Sequence, residues 1–110
     1  MADTLTRTYK LGSTGDLSSA TTVLTAGSGA TITILSVALC NAANDDETFD
    51  MWVVPASTSD LIYHYKDQSI PSKATFIHND KIIMLTGDVL RFQTASASDI
   101  DIYISHLTQT

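Results

Sequence analysis

The 110-residue chain has one cysteine, two prolines, a single glutamate and six basic residues, and each scarcity removes a class of protein. With Cys40 alone, no intrachain disulfide can close, and a metal site would have to rely on histidines and carboxylates. Glutamate occurs once and glutamine three times; these straight-chain polar residues normally cover the solvent face of a helix, so a helical bundle is excluded. The apolar runs Met51–Val54 and Ile82–Leu85 are four residues each, against the roughly 20 that a membrane-spanning helix requires, and no membrane partner is expected. The basic residues stand singly in a chain of net charge -6, so the positive footprint that nucleic-acid binding needs is missing. Met1 to Arg7 carries no apolar core behind a basic start, so no secretory leader is read and synthesis in a cytoplasm is expected.

What is present is strand composition. Sixteen threonines, ten isoleucines and five valines suit a pleated, half-buried surface. Ile100, Ile102 and Ile104 alternate with Asp99, Asp101, Tyr103 and Ser105, which predicts a strand with one face in the core. Val89–Thr94 reads as a strand expected to pair with it as a hairpin across the polar connection Ala95–Asp99. Lys81–Leu85 and Ala74–His78 precede it, separated by Thr86-Gly87-Asp88 and by Asn79-Asp80, and the four strands read as a meander. Within Ile82–Leu85 alternation is lost, as expected of a strand covered on both faces.

The front half supplies strand candidates at Thr4–Leu11, Ala20–Ala26, Ala30–Asn41, Glu47–Pro55 and Leu61–Lys66, separated by glycine pairs or Asp/Asn/Ser clusters. In the third, Ile32 and Ile34 share one parity while Leu35, Val37 and Leu39 share the other, which predicts a β-bulge near Leu35. Pro55 and Pro71 fall at strand ends, where a missing N–H breaks no interior ladder. About nine short strands with regular turn signals predict an all-β fold, a two-sheet antiparallel β-sandwich of jelly-roll-like form. Residues 1–15 are read as an N-terminal arm and first strand, and 16–110 as one sandwich domain.

No motif carries chemistry. His64, His78 and His106 fall on three different strands, and none has a second ligand at metal spacing. The acidic cluster Asn44–Glu47 lacks the alternating calcium-loop pattern and reads as a solvated hairpin tip. No G-x-S-x-G elbow occurs, and Gly27-Ser28-Gly29 lacks the ending of a phosphate loop. No catalytic residue, cofactor or metal is therefore expected. Trp52, Tyr63 and Tyr65 offer aromatic faces for sugar stacking, or equally for capping the core or an interface; Tyr63 and Tyr65 are expected on one strand face.

The stretch Lys66-Asp67-Gln68-Ser69-Ile70-Pro71, with Asp80-Lys81-Ile82-Ile83-Met84-Leu85-Thr86-Gly87-Asp88-Val89-Leu90 and the Ala/Ser-rich segment after it, resembles small virion proteins of tailed bacteriophages. Ser28–Asn41 is similar to their opening strands, and the resemblance covers about residues 20 to 107. It implies a non-enzymatic virion protein, in first place a capsid decoration (cement) protein on the capsid surface, acting as a homotrimer bound to the major capsid protein. A small tail or neck component and a host-surface or sugar-binding module are the alternatives. The contact residues expected for that role are Leu5, Tyr9 and Leu11 of the arm, Trp52, Tyr63 and Tyr65 of the aromatic strands, and Ile82 and Met84 of the aliphatic run.

Overall fold

Threonine- and isoleucine-rich segments take up extended backbone along almost the whole chain, and their alternating side chains leave one apolar face per strand to be covered. The computed structural model describes residues 3–12, 17–95 and 99–110, with nine strands and no helix among them. They are β1 (Asp3–Lys10), β2 (Thr21–Thr25), β3 (Thr31–Asn41), β4 (Glu47–Val54), β5 (Ile62–Ile70), β6 (Thr75–His78), β7 (Ile82–Met84), β8 (Val89–Thr94) and β9 (Ile100–Gln109). One sheet runs β1-β9-β3-β6, with β7 also on β3; the other runs β2-β8-β4-β5, and every pairing is antiparallel. This is the expected two-sheet sandwich.

Its core lies between the sheets. Ile32, Ile34, Val37 and Leu39 of β3 and Ile100, Ile102 and Ile104 of β9 meet Phe49, Met51 and Val53 of β4 and Leu90 and Phe92 of β8. The expected bulge is present: the β3–β9 register shifts between Ile34 and Ser36, so Leu35 is the extra residue that brings both parities of β3 onto the core.

Four local expectations are corrected. β8 and β9 do not form a hairpin, because β8 is bonded to β2 and β4 while β9 is bonded to β1 and β3. Both have one apolar face, and those faces oppose each other across the sandwich, a separation of about 10 Å that a short connection bridges. Residues 96–98 of that connection lie outside the described residues. The β6–β7 junction at Asn79-Asp80 does not reverse the chain: β6 pairs with Val37–Cys40 and β7 with Ile32–Ile34, so the two continue one line interrupted opposite the β3 bulge. The Asn44–Asp46 loop is an arch from one sheet to the other rather than a hairpin tip, since β3 and β4 belong to different sheets. Finally, β5 extends to Ile70 instead of ending at Lys66.

Candidate functional site

Each sheet has one face in the core, and the outward faces differ in chemistry. On the β2-β8-β4-β5 sheet the outward face is mixed: Tyr63 covers Trp52, Leu61 and Ile62 are exposed at the β5 edge, and the rest is polar. Arg91 Nε donates to Thr22 Oγ1 at 2.9 Å, and Lys66 Nζ lies 3.2 Å from Asp50 Oδ2, an ion pair that raises the Lys66 pKa. That is the normal condition of an antiparallel sheet in water.

The outward face of the β1-β9-β3-β6 sheet carries rows rich in exposed apolar side chains, with polar residues between them. Register sets its rows: Tyr9, Tyr103, Ala38 and Ile77 lie side by side across four strands, and Leu5, Leu107, Thr33 and Ile83 form a second such row. Leu5 is 72 % exposed, Ile77 59 % and Ile83 57 %, values at which aliphatic side chains stand in solvent. Between the rows lie Arg7, Ser105 and Ser36. The Arg7 guanidinium carbon sits 5.9 Å from the Tyr9 ring centre and 6.0 Å from that of Tyr103, so two aromatic rings hold the charge. No carboxylate among the described residues pairs with it.

Two shallow hollows flank this Arg7–Tyr103 ridge. One, of about 360 Å³, is floored by the small side chains of Ala38 and Cys40 and walled by Tyr9, Leu11 and Tyr103, with Arg7 and Asp101 also in its lining. The other, of about 550 Å³, lies among Leu5, Leu35 and Ser105. Exposed apolar rows of this extent are the kind of surface that interaction sites use.

The residues singled out from the sequence divide three ways. Leu5, Tyr9 and Leu11 are exposed on or beside this face, and β1 that carries Leu5 and Tyr9 is bonded along its length to β9. Ile82 and Met84 instead turn into the core, at 7 % and 0 % exposure, because β7 alternates after all and has only one covered face; the outward positions are Ile83 and Leu85. Trp52, Tyr63 and Tyr65 form no common platform. Met51 pairs with Tyr65 and Trp52 with Tyr63, so His64 is an extra residue that sends the two tyrosines to opposite faces. Tyr65 packs beside Phe76 and Phe49, with ring centres 4.9 and 5.7 Å away, and its Oη lies 2.7 Å from His78 Nδ1. Burial and the nearby Asp80 charge push its pKa up. Trp52 is 3 % exposed beneath Tyr63, whose ring centre is 5.4 Å away, so its face is not open to a sugar.

Sequence reading missed Arg7, Tyr103, Ile77 and Ile83. Tyr103 had a signal, since its parity opposes the core isoleucines; the others became visible only when the registers of β1, β6 and β7 were known. His64 and His78 approach with ring centres 6.3 Å apart, while His106 is bound elsewhere, and no group of three metal-ligating side chains occurs among the described residues.

The fold and the face together define a class: an all-β sandwich that presents a large apolar sheet surface. No protein-family model matches the sequence, and no curated protein matches it. A solved structure does share its fold: a chain in the acidic stable capsid of Helicobacter pylori bacteriophage KHP30, with a TM-score of 0.52 and 11 % identity over 98 % of this chain and 87 % of that one.

Proposed function

We propose that this chain is a non-enzymatic structural protein of a bacteriophage virion, a decoration protein that covers junctions on the capsid surface and stabilises the head. The observation that carries the proposal is the exposed apolar surface on the β1-β9-β3-β6 side of the sandwich, where Leu5, Tyr9, Leu11, Ile77, Ile83, Leu85 and Tyr103 stand in solvent. A monomer gains nothing by keeping that surface wet, whereas a protein seated on a shell buries it, at about 25 cal/mol for each Å² removed from water. The likeness to a chain within a phage capsid, nearly end to end in both directions, supports the same reading. So does the strand order: we read the interleaved β1-β9-β3-β6 and β2-β8-β4-β5 sheets as a jelly roll, an architecture that recurs in viral capsid domains.

The test is to purify virions with and without the protein and heat them. The proposal expects many copies spread over the head and release of the genome at a lower temperature when the protein is missing. Unchanged heat resistance removes the decoration role, and copies confined to one vertex assign the chain to the neck or tail. The homotrimer belongs to the proposal and is checked by sedimentation: the expected mass is three times the 11.8 kDa of the chain. A concentration-independent monomer that also fails to bind purified shells counts against it.

A further inference from the structure

Arg7 lies between two hollows on this face and forms no ion pair among the described residues; Asp101, which lines one of the hollows with it, is engaged by the Gly12 N–H. We infer that this face receives a shell subunit that presents one carboxylate flanked by two apolar side chains, the carboxylate meeting Arg7 and the apolar groups filling the hollows. The inference rests on the virion reading and names the partner chemistry of the same face.

Charge and shape point to that occupant rather than to a second copy. In a face-to-face dimer each patch meets itself about a two-fold axis. A two-fold axis through the Arg7–Tyr103 ridge would set Arg7 against Arg7 and bring together two molecules that each carry a net charge of -6. Arg7 is instead prepared for an opposite charge. Its guanidinium is held by Tyr9 and Tyr103, which leaves its donors free for bidentate pairing with a carboxylate, and the apolar rows around it exclude water from such a pair. The hollow exists because small Ala38 sits in a row otherwise made of Tyr9, Tyr103 and Ile77, with small Cys40 in the next row between Asp101 and Thr75. It has the form of a socket for one projecting group. Four strands about 4.8 Å apart and strands of some ten residues at about 3.4 Å each give the face roughly 600 Å², near the ~800 Å² per partner of stable protein contacts.

The experiment uses particles assembled with wild-type protein, with Arg7→Glu, with Arg7→Lys and with Ala38→Trp, each variant first checked for native circular dichroism. Copies per particle are measured, together with alkylation of the Cys40 thiol in free and assembled protein. The expected result is at least a tenfold loss of copies for Arg7→Glu and Ala38→Trp, a smaller loss for Arg7→Lys, and a thiol that reacts in free protein and is protected in particles. Incorporation of Arg7→Glu and Ala38→Trp at wild-type level, or an equally reactive Cys40 in particles, overturns the inference while leaving the virion role in place. Self-association of the free protein that Arg7→Glu dissolves makes the face a self-interface and also overturns it. Absence of the chain from particles removes the virion role and this inference together.

Discussion

Asn41 shows how much of this fold hangs on one polar side chain. It is fully buried; its Nδ2 donates to the carbonyls of Asp45 at 2.8 Å and Ile70 at 3.0 Å, and its Oδ1 accepts from the Ala43 N–H. Those three bonds tie the end of β3 to the arch and to the end of β5. Replacing Asn41 with alanine leaves a buried carbonyl and an N–H without partners, and the expected loss is about 2–4 kcal/mol of unfolding free energy by urea titration. His106 sets a second residue-scale expectation. It is buried, its Nε2 lies 3.0 Å from Thr8 Oγ1, and burial lowers its pKa below the ordinary 6.5. Burial also lowers the pKa of His64, with the charge of His78 acting in the same direction and a backbone bond to Ile62 opposing it. The unfolded chain therefore takes up protons at a higher pH than the native one. The stability due to neutral histidine is fully present above about pH 6.5 and is lost as pH falls through that value toward the depressed native one. Urea midpoints measured from pH 7.5 down to 5 should decline, and the decline should be shallower in His106→Gln.

Among the elements, β1 differs from the rest. Eight of its residues pair with β9 in uninterrupted register, yet its side chains are exposed or only partly covered on both faces. Backbone bonds hold it more than packing does. In hydrogen exchange its amides should open well before those of β3 and β9, whose inward residues form the core. Exchange of β1 at the same rate as β3 contradicts this. Gly12 fixes where the chain leaves β1: its N–H donates to Asp101 Oδ1 at 3.0 Å, and a Cβ there would collide with the backbone of Ile100. Gly12→Ala should therefore force the strand off β9, with a loss of about 1–3 kcal/mol and faster exchange confined to β1. At this scale the sequence was legible where alternation was strict, as in β9, and where parity switched inside one strand, as at Leu35. It misled at β8–β9 and at β6–β7, because a strand's periodicity states that one face is buried without stating which neighbour supplies the bonds.

For the whole molecule, the proposed role rests on the exposed apolar side chains of the β1-β9-β3-β6 face. Ile77 and Ile83 contribute exposed aliphatic surface and little to the core, so Ile77→Lys and Ile83→Lys should change stability by no more than about 0.5 kcal/mol. The same substitutions should sharply reduce binding of an apolar dye and attachment to shells. If stability collapses instead, the face is structural and its exposure has no bearing on assembly. The candidate site was only partly legible. Leu5, Tyr9 and Leu11 of the opening segment stand exposed, as a contact role requires, whereas Ile82 and Met84 turn into the core. A short apolar run gives no parity unless the strand that bonds to it is known.

Composition and alternation by themselves determined that the chain is all-β, that it folds as two antiparallel sheets around Ile-rich inward faces, and that β3 carries a bulge. These are local properties, since the period of side chains along a strand and the chemistry of glycine and asparagine turns act within a few residues. Only the tertiary structure decided which strands share a sheet, that His64 parts Tyr63 from Tyr65, and that Leu5, Arg7, Tyr103, Ile77 and Ile83 meet on one wet surface. Cross-strand register joins residues separated by up to a hundred positions, and it is settled by the packing of the entire core rather than by any segment of the chain.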